Sequence, residues 1–311
     1  MQEGIYTCGI FGSVGKNWNL GTLRALALAN RERGTDSLGF FDSSGKMIKC
    51  ADDPSDALRK ENITNWLSAS AYGNAKLGRP TPSWFIGGHT RLATRGKVNR
   101  QNSHPFRYGR IIGSHNGMID APTGYTVDSQ YLFDALNKAG GDYNKAWAKV
   151  TGYWGISWFD DKAFWLQVHN GDLTVCPVGD GLWYYSSSWA HLETCIGYHK
   201  DSITLKEGQT LKFSVGPTGA VVMEEAAKFE SEAPEYWAKR YGCSNAEDWT
   251  KYIDAGGKTR YIQKHHGRME KAYTEPVGSA ICSTTAIRDY DADWRSAWED
   301  YCGESEHNKL D

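Results

Sequence analysis

Cys8 opens an apolar run, Cys8-Gly9-Ile10-Phe11-Gly12, and a cysteine placed there has a specific chemistry open to it if it becomes the first residue of the chain. A free α-amine, with a pKa of about 8, then lies within reach of the thiol on the same residue and can take its proton, so no catalytic histidine is needed. Gly9 lets a substrate carbonyl and neighbouring backbone come close, while Ile10 and Phe11 tie the nucleophile to a buried strand. The competing reading is a structural cysteine at the start of a core strand, since unpaired cysteines are among the most buried residue types.

A second concentration of reactive residue types runs from Gly87 to Ile119. It holds His89-Thr90-Arg91-Leu92-Ala93-Thr94-Arg95-Gly96, then Asn102-Ser103-His104-Pro105, then Ser114-His115-Asn116-Gly117. An arginine at a strand end, Arg91, can grip a carboxylate in a two-pronged fork that a lysine cannot match, although a surface ion pair of little worth would use the same residue. Asn116-Gly117 sets a side-chain amide beside a backbone N–H, the pair that an oxyanion hole needs. It also reads as a type I′ hairpin turn. His104, next to Pro105, reads as a loop histidine.

Several elements must position these groups. Asn19 caps a helix carrying Leu20, Leu23, Leu26 and Ala27 at helical spacing, and Gly34 marks its end. The turn Arg33-Gly34-Thr35-Asp36-Ser37-Leu38-Gly39 leads into a strand around Phe40 and Phe41. A helix is expected over 54–66, a Gly/Pro/Ser-rich loop over 72–83, and a buried strand at Trp84-Phe85-Ile86 that ends at Gly87-Gly88. Alternation predicts a hairpin of 154–159 with 163–168 around Asp160-Asp161, then strands at 173–178 and 182–186 and final strands within 203–222. From Glu224 the composition turns charged and helical. Ser244-Asn245-Ala246-Glu247 resembles a capping box with Trp249, Tyr252 and Ile253 on one face behind it, Gly256-Gly257 interrupts, and Trp294 and Trp298 stand at a helical interval. His265-His266 reads as solvated helix.

The 311 residues carry 35 basic and 37 acidic side chains, a formal charge of -2 without a long single-sign block, which argues against nucleic acid or a membrane surface as partner. Seven cysteines, an odd count without a CxxC pair, suit reduced thiols in the cytoplasm. The first seven residues have neither a basic nor an apolar signal region, and no apolar run approaches the ~18 residues of a membrane span. A phosphate loop, a GxGxxG turn and an ATP-pyrophosphatase signature are absent from the sequence, so no cofactor is expected, and no metal is expected because His265-His266 has no second ligand pair at a suitable spacing.

In series, five blocks resemble the class II glutamine amidotransferase domain, a branch of the N-terminal-nucleophile (Ntn) hydrolases. They are Cys8-Gly-Ile-Phe-Gly, Arg33-Gly-Thr-Asp-Ser-Leu-Gly, His89-Thr-Arg-Leu-Ala-Thr-Arg-Gly, Asn102-Ser-His-Pro and His115-Asn-Gly-Met-Ile, with softer matches at Val127-Asp128-Ser129 and Gly152-Tyr-Trp-Gly155. The resemblance implies an α+β fold, a four-layer αββα sandwich of two mostly antiparallel sheets, over residues 8–222, with 1–7 as a candidate leader and 223–311 as a helical extension. It further implies Cys8 as nucleophile, Asn116 and Gly117 as oxyanion hole, Arg91 on the α-carboxylate of glutamine, Asp128 on its α-amino group, and Thr94 with Arg33 and Gly34 shaping the pocket. The products would be glutamate and ammonia, through a γ-glutamyl thioester, and the ammonia would pass to a separate synthase subunit. Two departures stand out: Leu92 and Arg95 replace the Trp and His common in the family, and a leader precedes Cys8 that methionine removal alone cannot clear. An Ntn amidohydrolase acting on another amide, and a non-catalytic assembly protein with Cys8 capped by its leader, stay open as readings. So does a homo-oligomer.

Overall fold

The computed structural model describes residues 8–169, 171–179, 181–226, 249–253 and 259–263. The chain divides into two compact units, Met1–Ala272 and Tyr273–Asp311, and every described residue lies in the first.

β1 (Gly9–Val14) is buried along its whole length. α1 (Leu20–Ala29) follows, with the Asn19 side chain accepting from the Thr22 N–H and with Leu23, Leu26 and Ala27 turned inward, as their spacing predicts. A 3₁₀ turn, Asn30–Arg33, closes it before Gly34. β2 (Ser37–Asp42) and β3 (Met47–Cys50) pair as a hairpin. The single helix expected over 54–66 is instead two, α2 (Pro54–Ala57) and α3 (Glu61–Tyr72). The break between them lets Leu58 join the core shared by Leu23 and Leu26.

β4 spans Phe85–Arg91 and corrects a second expectation, because Gly87 and Gly88 lie inside the strand and do not end it. Their reason is space: a Cβ on Gly87 would stand 2.3 Å from the Phe41 ring, and one on Gly88 2.4 Å from the Phe11 ring. Then come β5 (Phe106–Tyr108), β6 (Ile111–Ile119), α4 (Asp128–Lys138), α5 (Asn144–Trp147), β7 (Gly152–Phe159) and β8 (Phe164–His169). After them follow β9 (Thr174–Gly179), β10 (Leu182–Ser186), α6 (Trp189–Ile196), β11 (Ile203–Thr204), β12 (Thr210–Val215) and β13 (Val221–Ala226).

These strands make two antiparallel sheets, ordered β11-β9-β10-β1-β4-β2-β3 and β13-β12-β8-β7-β6-β5. Alternation along each strand then builds the layers. Ile10, Phe41 and Phe85 of the first sheet meet Ile112, Phe159 and Phe164 of the second in one core. Phe11, Phe40 and Ile86 point the other way, against α1 and α3. On the far side Trp154, Ile156 and Trp158 meet α4 and α5. The result is the αββα sandwich, an α+β architecture. Phe85 sits at its centre, with ring centroids 4.5 Å from Phe164 and 4.9 Å from Phe159.

The boundary expected after Val222 falls inside β13, whose pairing with β12 runs on to Ala226 opposite Thr210. In the extension, residues 249–253, expected on a helix, form β14 (Trp249–Ile253), paired antiparallel with β15 (Thr259–Gln263). Trp, Thr, Tyr and Ile in these segments favour a pleated strand over a helix. His265-His266 and the Trp294/Trp298 helix lie outside the described residues, as do the leader and the capping-box sequence. Among the described residues no helix is long and apolar enough to cross a membrane.

One part of the interior is polar. His89 on β4, His104 on the loop before β5 and His115 on β6 are all buried, with the His89 and His104 rings 3.9 Å apart. His89 Nε2 faces the His115 carbonyl at 3.1 Å, and His115 Nδ1 faces Ser129 Oγ at 3.0 Å. Burial pushes the His89 imidazole down to about 3 and holds His104 and His115 below the ordinary 6.5, with the Arg91 charge adding to the effect on His89 and His104. These rings are neutral in the folded protein and take up protons on unfolding.

Stability therefore stands in full above about pH 6.5 and falls as the pH drops, because the unfolded chain then binds more protons, by up to about 1.4 kcal/mol per pH unit for each such group. Urea titrations at pH 7, 6 and 5 should show the midpoint falling stepwise across a window where carboxylates contribute little; a flat profile would mean that these imidazoles are not buried neutral. Phe85→Ala should lower the unfolding free energy by about 3–5 kcal/mol, read from the same titration at pH 7.

Candidate active site

Cys8 stands at the entrance to β1, which is central in its sheet and hydrogen-bonded to β10 on one side and β4 on the other. Gly9 pairs with Thr90, and a Cβ there would lie 2.6 Å from Thr90 Oγ1 and 2.7 Å from Asn30 Oδ1. Only glycine fits behind the cysteine. Ser187 fixes the next residue, accepting from Ile10 N at 3.0 Å through its hydroxyl and donating to Ile10 O at 2.7 Å through its backbone.

The Cys8 thiol meets the backbone of the loop after β4. Leu92 N–H donates to Sγ at 3.4 Å, and Sγ lies 3.4 Å from the Leu92 carbonyl. Arg33 Nε donates to the Cys8 carbonyl at 3.1 Å. Burial pushes the thiol pKa up; the Leu92 hydrogen bond and the Arg91 and Arg33 charges pull it down, while Asp128 pushes it up. Both arginines and the aspartate thus bear electrostatically on the same sulfur.

Gly34 explains how the Arg33 turn comes so near. A Cβ on it would lie 2.3 Å from the Arg91 carbonyl carbon and 2.7 Å from Leu92 N. Arg91 is 4 % exposed, and its Nη2 donates to Arg95 O at 2.6 Å and its Nη1 to Lys97 O at 3.4 Å. It is a buried organiser of the loop, which disposes of the surface ion pair as its reading. Two of its five N–H donors are used in this way, so others remain for a ligand. Asp128 begins α4, where its Oδ2 accepts from Ile119 N at 3.0 Å and its Oδ1 from Ser129 N at 2.9 Å.

Asn116 and Gly117 lie within β6, opposite Gly155 and Trp154 of β7. The hairpin-turn reading of this dipeptide therefore fails. Gly117 has φ +145°, and a Cβ would meet the Tyr153 carbonyl oxygen at 2.1 Å, so no other residue fits there. The pair is suspended between two anchors, the His115 carbonyl on His89 and the Ile119 N–H on Asp128. Thr94 is exposed on the loop after β4. The structure thus gathers Cys8, Arg33, Gly34, Arg91 and Asp128, keeps Asn116-Gly117 on β6 between the anchors to His89 and Asp128, and leaves Thr94 facing solvent.

Asp36 was not singled out from the sequence and is central here. Its Oδ2 accepts from Ala93 N at 2.6 Å and its N–H donates to Arg91 O at 2.9 Å, so it holds the peptide segment that touches Cys8 Sγ. Its place in the Arg33–Gly39 block was the available signal. Asn102 and Asn99 brace the far end of the same loop: Asn102 Nδ2 donates to Lys97 O at 3.0 Å, and Asn99 Oδ1 accepts from Asn102 N at 2.8 Å. Among the described residues no cluster of His, Cys, Asp and Glu is arranged to hold a metal.

No family model matches the chain. It is 30% identical over 127 residues to a glutamine–fructose-6-phosphate aminotransferase (isomerizing) of Listeria monocytogenes, which covers 40% of this chain and 19% of that protein. The enzyme of the same name from Lactococcus lactis is 32% identical over 120 residues, covering 36% of this chain and 17% of that protein. The chain spans less than a fifth of the length of these relatives. Among solved structures, the glutamine phosphoribosylpyrophosphate amidotransferase of B. subtilis superposes with a TM-score of 0.49 at 15% identity, covering 70% of this chain and 49% of that one. A class-II glutamine aminotransferase domain protein from Silicibacter pomeroyi gives 0.43 at 14% identity, over 71% of this chain and all (100%) of that one. Over the 120 to 127 residues that these relatives match, the chain resembles a class II, N-terminal-nucleophile type glutamine amidotransferase domain.

Proposed function

We propose that this chain is a glutaminase of the class II amidotransferase type, with Cys8 as nucleophile, and that it delivers ammonia to a separate synthase subunit. The observation that carries this reading is the seat of Cys8: its sulfur lies on the Leu92 backbone and its carbonyl on Arg33, within electrostatic reach of one buried cation, Arg91, and one anion, Asp128. A zwitterionic amino acid needs one fixed charge of each sign. Arg91 takes its α-carboxylate, Asp128 takes its α-amino group, and Arg33, Gly34 and Thr94 shape the pocket around it.

The burial that raises the thiol pKa calls for a base at the sulfur. Removal of residues 1–7 supplies it. In this reading Cys8 Sγ attacks the Thr7 carbonyl, the Thr7 acyl group moves from nitrogen to sulfur, and water releases it, leaving a free α-amine. That amine then takes the Sγ proton as the sulfur adds to the side-chain amide carbon of glutamine. The oxyanion lies between the Asn116 side-chain N–H and the Gly117 N–H. Collapse expels ammonia with the proton from the amine and leaves a γ-glutamyl thioester, which water cleaves to glutamate and the thiol.

Intact mass before and after treatment with a diazoketone analogue of glutamine tests the reading directly. The expected species lacks the seven leader residues and gains one adduct, on Cys8. A full-length mass without an adduct would instead favour the assembly role with Cys8 capped. Cys8→Ala should abolish both ammonia release from glutamine and loss of the leader, and activity in that variant would remove Cys8 from the mechanism. Arg91→Lys should raise KM for glutamine by roughly tenfold or more with a smaller effect on kcat, because a point charge cannot fork a carboxylate; an unchanged KM would assign the α-carboxylate elsewhere.

A further inference from the structure

β2 connects the Cys8 region to a second site at its other end. Its first residue, Ser37, pairs with Arg91, and its last, Asp42, pairs with Ile86, so its two ends are about 17 Å apart at the rise of a strand. Beyond Asp42 the β2–β3 turn, α3 and β5 enclose a cleft of about 590 Å³, a size that suits a small organic ligand.

Three cations line this cleft, Lys46, Arg79 and Arg107, over an apolar floor of Met47, Trp66 and Leu77. Arg79 is 3 % exposed; its Nε lies 2.8 Å from Asp42 Oδ2, and its guanidinium carbon lies 4.5 Å from the centre of the Trp66 ring. The Asp42 carboxylate is already committed, one oxygen accepting from Ser70 Oγ and the other from the Ser44 hydroxyl and N–H. Arg79 Nη2 is buried without a partner. A buried donor left in that state is costly, and it lies behind the cleft wall that Arg79 helps to form.

Lys46 and Arg107 are held at the cleft by backbone carbonyls, Lys46 on Leu77 O and Arg107 on Gly45 O, and among the described residues neither has a carboxylate partner. Each keeps further N–H donors. The Lys46 ammonium passes directly over Gly78, where a Cβ would stand 2.6 Å from Nζ.

We propose that this cleft binds an organic phosphate monoester. Lys46 and Arg107, two cations without a carboxylate partner among the described residues, suit the double negative charge of a phosphate monoester better than the single charge of a carboxylate, and Arg79, held on Asp42, backs them. The floor of Met47, Trp66 and Leu77 takes the apolar part of the ester. The site is independent of Cys8 chemistry.

Calorimetric titration of the full-length protein with phenyl phosphate, inorganic phosphate and benzoate tests this. Phenyl phosphate should bind saturably and more tightly than either of the others. The double variant Lys46→Ala, Arg107→Ala, whose side chains lie at the surface of the cleft, should keep the parent thermal midpoint without ligand and lose at least about tenfold in affinity for phenyl phosphate. Absence of saturable binding, an affinity for benzoate equal to that for phenyl phosphate, or an unchanged affinity in the double variant would each overturn the proposal.

Discussion

The pairing of β1 with β4 is the constraint on which the rest depends. The two strands are antiparallel, so the start of β1, where Cys8 stands, is brought to the end of β4, where Arg91 and Leu92 leave the sheet. That closeness requires glycines on both sides: Gly9 against Thr90 and Asn30, and Gly87 and Gly88 under the rings of Phe41 and Phe11. A methyl group at any of these positions would collide with a short polar side chain or a buried ring, neither of which can yield cheaply in a close-packed interior. The same rings belong to the two hydrophobic layers on either face of the sheet, so the geometry at Cys8 and the packing of the sandwich share one set of contacts.

Much of this was legible in the sequence, for reasons that differ by residue. Leu23, Leu26 and Ala27 declare a helix through their spacing, and the alternation from 152 to 186 declares strands, because one face of each element must be buried. Asn116-Gly117 was visible as a candidate because it sets a side-chain amide beside a backbone N–H, whereas Arg33-Gly34 read locally as a helix-to-strand turn and became a candidate only through the family resemblance. What could not be seen was long-range. Gly87-Gly88 reads locally as the end of a strand, and only the rings of Phe11 and Phe41, brought from other strands, explain a glycine pair in mid-strand. Asp36 has no local distinction from any turn aspartate until Ala93 N is found on its carboxylate. Trp249–Ile253 carries helical spacing and strand-favouring residues at once, and the pairing with Thr259–Gln263 follows the latter.

The electrostatics around Cys8 follow from where each charge is tethered. Arg91 is buried and fixed by carbonyls of its own loop, Asp128 is fixed by backbone N–H groups at the start of α4, and Arg33 sits on the Cys8 carbonyl. The hydrogen bonds that tether Arg91 and Asp128 run to backbone groups, not to another charged side chain. A site built in this way keeps its cation and its anion apart, each held by neutral backbone, and so both stay available to a ligand carrying both signs. Had Arg91 and Asp128 paired with one another, the ligand would first have to separate them, and that separation would be lost from its affinity.

The proposed removal of residues 1–7 places a geometric requirement on the contacts at Cys8. Exposing a catalytic amine by cutting the Thr7–Cys8 bond is useful only if the site survives the cut. The described contacts that hold Cys8 run through its Sγ, to Leu92, and through its carbonyl oxygen, to Arg33, while Gly9 and Ile10 are secured by Thr90 and Ser187. All of them lie on the sulfur or carbonyl side of the residue or downstream of it. Breaking the bond on the nitrogen side leaves each of them in place. In the proposed mechanism the new amine would then appear on a residue already positioned, and the cut would add only the base.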